Sequence, residues 1–330
     1  MDLPLAFAAL AALVIVFYVL LDGFDLGIGI LFLAAPRDRD RDLMMESVEP
    51  VWDGNETWLV MGGTLLFAAF PAAYYILLPA FYLPVMMMLF GLVARGVAFG
   101  FRGHATRLQV LWDWAFSGGS VLAVLGQGFV LGGFIGGVPV ADGMFAGGTF
   151  GSFTPLGALC GLGLLGGYAL LGAGWIIWRT DGPTQAFARG AARGAIVVVA
   201  VMMALVSAWT ATIPEVRDRW FAWPNVALLA PVPLVTAAVV VAVWRAVPGP
   251  DETRPFLLGI GLFLLGFLGL IVSLWPFVVP RSVTVWDGAA DPQTLAFIGV
   301  GLVLVLPVVV TYQAYAYRVF RGKVGAHPEG

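Results

Sequence analysis

Histidine is almost missing from this chain. Only His104 and His327 occur in 330 residues, and both fall in polar stretches. A haem held in a membrane ordinarily takes its axial ligands from histidine, cysteine or methionine, so a chain with no histidine in an apolar run is a poor haem carrier by itself. Cysteine is scarcer still. Cys160 stands alone inside an apolar stretch, which excludes an intrachain disulfide and a cysteine metal site and leaves helix packing as its role. The methionines, including the run Met86 to Met88, are read as packing too. Charge is also sparse, at 11% of residues with a formal net charge of −3. A soluble domain carries roughly a quarter charged residues. The basic residues gather in no stripe, which argues against a nucleic-acid partner. There is no Gly-rich phosphate loop after a strand, no fixed-period repeat beyond a three-residue recurrence of "WDG" at 52–54 and 286–288, and no separate soluble segment. The N-terminus lacks a basic leader and a cleavage site, and reads as a retained first span rather than a signal peptide.

What remains is membrane composition: 60% hydrophobic residues, 12 Trp and 43 Gly, with a mean hydropathy of +0.94. Apolar runs fall at about 5–33, 54–72, 75–100, 113–137, 155–178, 194–213, 226–247, 256–279 and 295–319. A span needs about 20 residues, so the chain is expected to cross a membrane nine times as one integral-membrane domain over 1–330. With the N-terminus outside, the segments placed inside hold thirteen of the 17 basic residues, and those placed outside hold only Arg217, Arg219 and Arg281. That asymmetry supports the orientation and the odd count. Merging the second and third runs would put the later basic loops outside. The loop "APRDRDRDLMMESVEP" is expected to be solvated, or to touch lipid headgroups through its arginines. The tryptophans (Trp52, Trp58, Trp112, Trp114, Trp175, Trp178, Trp209, Trp220, Trp223, Trp275 and Trp286) fall near run ends, as an interfacial belt would. The glycines of "GALCGLGLLGGYALLGAG" in the fifth run point to close helix or subunit packing.

Arg95, the remaining basic residue, lies inside the third run. It is one of several polar residues that the membrane must accommodate. The second run opens with "PVWDGNETW" and only just spans if it starts at Trp52, so it carries Asp53, Asn55 and Glu56 to the bilayer edge. One reading makes Asp53 a helix N-cap, with Glu56 completing a capping arrangement. Asp22 and Asp25 cannot be end caps. They lie three apart on one face about 17 residues into the first span, with Gly29 continuing that face and admitting a close neighbour. Asp113 falls near the start of the fourth run. The orientation gathers Asp22, Asp25, Asp53, Glu56, Arg95 and Asp113 on the cytoplasmic side of the first four helices. Two roles stay open: a structural ion-pair cluster built around Arg95 and Asp113, or a proton-loading site.

The motifs "DGFDLGIGIL", "PVWDGNETWLV", "FAAFP", "RGVAFGFR", "WDWAFSGGS" and "WPFVVPRSVTVWDGAADPQTL", in that order, resemble subunit II of the cytochrome bd quinol oxidases. The likeness runs over essentially the whole chain, and the lack of long insertions is most similar to the short, cyanide-insensitive branch. The resemblance implies an all-α protein of two four-helix bundles (1–137 with the polar cluster, and 155–279) plus a last peripheral helix (295–319). It implies a complex of the bacterial cytoplasmic membrane that oxidises quinol and reduces dioxygen to water without pumping protons. Haem b and haem d would be held by subunit I, the heterodimeric partner, a small single-helix accessory subunit can complete the assembly, and a structural quinone or lipid can occupy the pseudo-symmetric position. By motif, Asp53 with Trp52 and Asn55 would line a cytoplasmic proton path, Asp22 and Asp25 match the "DGFD" acids, and Glu56 stands where some members are uncharged. The competing readings are a proton-coupled secondary transporter, which predicts paired broken helices about a midplane site, and a purely structural scaffold.

Overall fold

The structure, a computed structural model, describes residues 2–105 and 107–325. The chain opens with α1 (Leu3–Phe32), capped by the Asp2 side chain, which accepts from the Leu5 N–H at 3.1 Å. Then come α2 (Asp38–Glu46) and α3 (Trp52–Ala69). Pro71 cannot donate into the α3 ladder, so that helix stops at Phe70 and α4 (Pro71–Ala80) starts anew. Pro84 likewise cannot donate to the carbonyl four residues back, and the chain breaks again at Phe81 before α5 (Tyr82–Arg102). The third apolar run is therefore two helical pieces, and it is distinct from the second. The first half ends with α6 (Gln109–Gly136) and a short hairpin of β1 (Val140–Ala141) and β2 (Met144–Phe145).

In the second half, α7 (Pro155–Arg179) is capped by Thr154, whose hydroxyl accepts from the Gly157 N–H at 3.0 Å. Next is α8 (Gly182–Thr210), which begins well before its apolar run. It is followed by α9 (Pro214–Phe221), α10 (Asn225–Leu229) and α11 (Pro231–Ala246), the last two divided at Pro231. After α12 (Arg254–Leu274) come the hairpin of β3 (Phe277–Val279) and β4 (Val283–Thr284), the single turn α13 (Val285–Gly288) and α14 (Pro292–Val319). Among the described residues, eight helical segments are long and apolar enough to cross a membrane, with α10 and α11 counted together. At 18 residues and with acids in its first turns, α3 falls outside that set.

The centre of the molecule is α7. Its glycines meet neighbours backbone to backbone: Gly157 and Gly161 face Gly132 and Gly128 of α6, and a Cβ on Gly27 of α1 would lie 1.8 Å from the Tyr168 carbonyl oxygen. The glycine-rich face is thus helix packing inside this chain. Phe24 of α1 stacks on Trp175 of α7 at 4.4 Å, with Phe256 of α12 edge-on to Phe24 at 5.6 Å. Gly29 admits Ser120 of α6, as its place on the acidic face implied. Cys160 is buried against Ile135 and Leu156.

Two tryptophans depart from the belt. Trp58 and Trp175 are buried because each indole N–H finds an internal acceptor, Gln313 Oε1 at 2.7 Å and the Ser47 carbonyl at 3.3 Å. Trp114, Trp178, Trp209, Trp223, Trp275 and Trp286 are exposed.

The charged loop is the clearest departure. Residues 38–46 form the packed helix α2, not a solvated loop. Met44, Met45 and Val48 are buried, and Asp40 is 1% exposed because Arg37 and the Thr184 hydroxyl both donate to it at 2.7 Å.

Helix ends use arginine. Arg281 donates to the Ile135 and Gly136 carbonyls that end α6, and Arg219 to those of Val272 and Trp275 at the end of α12. Arg189 serves Val247 and Gly249 after α11, and Arg179 serves Phe320 after α14. Cations complement the negative end of a helix. Two of the three basic residues at the end of the molecule that carries the N-terminus are therefore committed to helix caps.

Candidate functional site

The acids of α1 do what their spacing implied. Asp22 and Asp25 point together into the protein, both 0% exposed, and meet Arg95 of α5 and Asn55 of α3, also 0% exposed. Arg95 Nη1 lies 2.6 Å from Asp22 Oδ1, and Arg95 Nη2 donates to Glu56 Oε2 at 3.1 Å. The Glu56 side chain is 28% exposed, so the cluster reaches the side of the helix bundle through it. Asn55 Nδ2 donates to Asp25 Oδ2 at 2.8 Å and to the Leu21 carbonyl at 3.3 Å. One guanidinium thus binds two carboxyls, with a third, Asp25, beside them. Asp22 Oδ2 and Asp25 Oδ1 have no hydrogen-bond partner among the described residues. A buried charge needs pairing, and this site is short of positive charge.

Five neutral residues complete the site. Tyr317 OH and Gln313 Nε2, both on α14, donate to Asn55 Oδ1 at 2.8 and 2.9 Å. On the other flank Tyr168 OH donates to Gln127 Oε1, and Gln127 Nε2 donates to Tyr18 OH, each at 2.7 Å. Tyr18 lies one turn before Asp22 on α1. None of the five was singled out from sequence. The available signal was two lone amides in apolar spans, "LGQGF" and "TYQAY".

The expected gathering of six charged residues divides. Asp113 does not meet Arg95. It accepts from Arg102 Nε at 2.6 Å and from Arg41 at 3.3 Å, and Arg102 also binds Asp42 at 2.8 Å. Arg102 is seven residues from Arg95, about 10 Å along α5. Asp53 joins neither cluster. It faces outward in the first turn of α3, on the exposed stripe of Asp53, Thr57, Val60, Thr64 and Phe67. The capping reading also fails: the N-cap is Val51, and the Trp52 and Asn55 N–H groups are already bonded to the Val48 and Val51 carbonyls by the preceding turn. Trp52 stacks on Phe99 of α5 at 4.8 Å, which ties the start of α3 to that helix.

The residues here do not fit a haem iron or another resident metal. His104 is exposed on the turn after α5, His327 lies outside the described residues, and no group of three or more His, Cys, Asp or Glu among the described residues is arranged to hold a metal.

A polytopic all-α membrane protein with a buried, acid-rich cluster is the class that this fold and site define. Residues 3–320 match the family described as cytochrome bd terminal oxidase subunit II. The chain belongs to that family, and is therefore a component of a haem-bearing terminal oxidase complex with a partner subunit. It is 27% identical to the cytochrome bd-I ubiquinol oxidase subunit 2 of Escherichia coli (strain K12), over 96% of this chain and 93% of that one. It is 29% identical to the cytochrome bd ubiquinol oxidase subunit 2 of Bacillus subtilis (strain 168), over 97% and 96%. The bd oxidase structure from Geobacillus thermodenitrificans superposes with a TM-score of 0.78 at 16% identity, covering 97% of this chain and 99% of that chain, a likeness of fold.

Proposed function

We propose that this chain is subunit II of a quinol oxidase in a bacterial cytoplasmic membrane, supporting subunit I and carrying part of the path by which cytoplasmic protons reach the dioxygen-reducing site. The observation that carries this reading is the imbalance of the Asp22–Asp25–Glu56–Arg95 cluster, which opens sideways through Glu56 toward the stripe that bears Asp53.

Nine spans follow if α3 is counted with the eight apolar segments, arranged as two four-helix bundles (1–137 and 155–279) with α14 outside them. The N-terminus then lies outside and the arginine-rich end is cytoplasmic. A membrane face bearing a carboxylate and two threonines is disfavoured against lipid, so the α3 stripe is where subunit I docks. Haem b, haem d and the quinol site belong to that partner, where the haems supply electron transfer and dioxygen reduction. A small single-helix subunit, membrane lipids and a structural quinone or lipid are further expected occupants of the complex.

Within this chain, protons would enter at the cytoplasmic end, bind a carboxyl oxygen at Asp25 or Asp22, and leave through Glu56 toward Asp53 and the docked partner. Arg95 keeps the acids from all being neutral at once. Uptake from one side, with quinol protons released on the other, makes turnover electrogenic without a pump. The test is Asp53→Asn in the purified complex. Proton-transfer groups contribute about a hundredfold or more to a rate, so quinol-driven oxygen consumption should fall at least about tenfold while assembly and haem content stay normal. An intact complex with unchanged oxygen consumption refutes the path.

A further inference from the structure

The hydrogen bonds that reach Asp25 run in one direction, and chemistry alone sets that direction. The indole N–H of Trp58 can only donate, so Gln313 must present its carbonyl oxygen Oε1 to it, at 2.7 Å. Gln313 Nε2 then faces Asn55, which must answer with Oδ1, at 2.9 Å. That turns Asn55 Nδ2 toward Asp25 Oδ2 at 2.8 Å. The far end agrees independently: the Leu21 carbonyl, which can only accept, takes its bond from the same Asn55 Nδ2 at 3.3 Å. The amide orientation is thus determined from both ends, by a donor-only group and an acceptor-only group. The Tyr317 hydroxyl, able to play either part, adapts to it by donating to Asn55 Oδ1.

We infer that Gln313, on the last helix, is a positioning residue for proton loading at Asp25: through Asn55 it commits Oδ2 to accepting a fixed N–H, and so leaves Oδ1 as the atom that binds the proton. The inference rests on the proton-path reading above. A proton on Oδ2 would make that oxygen a poorer acceptor for the Asn55 N–H, whereas Oδ1 has no hydrogen-bond partner among the described residues to lose. The loading step is a single proton transfer from a hydronium ion to Oδ1, forming the carboxyl O–H bond and leaving water; release is its reverse toward the next acceptor. The other groups ranged about Asp25 are Asp22 on its own helix, Asn55 and Glu56 on α3, Arg95 on α5 and Tyr317 on α14. None but Asn55 donates a hydrogen bond to it. The role also explains why α14, otherwise peripheral and largely exposed, buries Gln313.

The experiment uses the whole detergent-purified complex and three substitutions, Gln313→Met, Trp58→Phe and Asp25→Asn. It reads quinol-driven oxygen consumption, KM for quinol, and the redox-induced infrared difference spectrum. Asp25→Asn identifies the carboxyl band that belongs to Asp25. Gln313→Met, similar in shape but unable to orient Asn55, is expected to slow turnover about fivefold with KM for quinol unchanged and to displace the Asp25 band, since a hydrogen bond to a carboxylate is worth about tenfold or more in an equilibrium. Trp58→Phe, which lets Gln313 turn, should act the same way by about twofold, and it decides the matter if Gln313→Met does not assemble. A merely structural role for Gln313 would lower yield and leave the Asp25 band in place. The inference is overturned if Asp25→Asn slows turnover while the Gln313 and Trp58 variants leave both rate and band unaltered. If Asp25→Asn itself leaves turnover unaltered, the path through Asp25 is the reading that fails.

Discussion

Two charged clusters lie along α5, one around Arg95 and one around Arg102, and they differ in their balance as well as in their depth. At Arg102 two guanidiniums, its own and that of Arg41, meet Asp42 and Asp113, and both Asp113 oxygens are bonded. At Arg95 one guanidinium meets Asp22 and Glu56, with Asp25 alongside, and Asp22 Oδ2 and Asp25 Oδ1 have no hydrogen-bond partner among the described residues. A network whose charges balance, with every oxygen of its buried acid bonded, is the form that a helix anchor takes. A cluster in deficit of positive charge persists only if something else, a proton or water, completes it. The comparison therefore separates an anchor from a site, and it can be broken by substitutions that should cost stability at one and turnover at the other.

The largest effect is expected at the anchor. Arg102→Met leaves Asp113, nearly buried, with only the longer contact to Arg41. Stranding a buried charge costs about 3 kcal/mol or more, so the complex should be recovered poorly and lose thermal stability. Adding Asp113→Leu should restore much of the loss, because a well-packed apolar pair can replace a buried ion pair at little cost. Failure of the double variant to recover would mean that the network does more than hold α5 and α6 together.

At the interior cluster the effect on stability should be small. Asp22→Asn removes one of three carboxyls facing a single arginine, moving the site toward neutrality, so stability should change by no more than about 1 kcal/mol. Turnover should nevertheless fall at least about tenfold if the acid carries protons. Melting temperature and oxygen consumption measured on the same preparation check both halves. A destabilised complex with normal specific turnover would make this cluster a second anchor and remove the distinction.

Much of this was legible in the sequence because an ionised group in an apolar run is conspicuous. Asp22, Asp25 and Arg95 stood out for that reason, and the three-residue spacing placed both acids on one face. The outward turn of Asp53 was also within reach. Successive residues of a helix are about 100° apart, so Asp53 and Asn55 cannot share a face, and with Asn55 inside Asp53 must point away. Tyr18, Gln127, Tyr168, Gln313 and Tyr317 were hidden for a different reason. Each is a neutral polar residue that reads as tolerable in a span, and only the packing of α6, α7 and α14 against α1 and α3 brings them to the acids. The α2 helix was obscured by its charges. Alternating Arg and Asp read as solvated until Thr184, 144 residues from Asp40 in sequence, supplies the partner that makes burial affordable.

That partner sets the smallest test, on a third acid that is buried but outside the membrane-spanning segments. Burial pushes the Asp40 carboxyl up, and the bonds from Arg37 and Thr184 outweigh it, so the group sits below its ordinary value. A carboxyl depressed on folding contributes stability above its unfolded pKa, roughly 4, and loses it as pH falls through the folded value. Thr184→Val removes the hydroxyl's bond, leaves the two from Arg37, and should cost about 1 kcal/mol at neutral pH. Because that cost belongs to the ionised carboxylate, the gap in melting temperature between variant and parent should narrow once pH falls below about 4. Asp40 would then resemble Asp113 at the Arg102 anchor, a buried acid with both oxygens bonded by protein donors. A gap that stays constant into acid would instead assign the loss to packing of α2 on α8, and would leave balance of charge as a property of the two clusters on α5 alone.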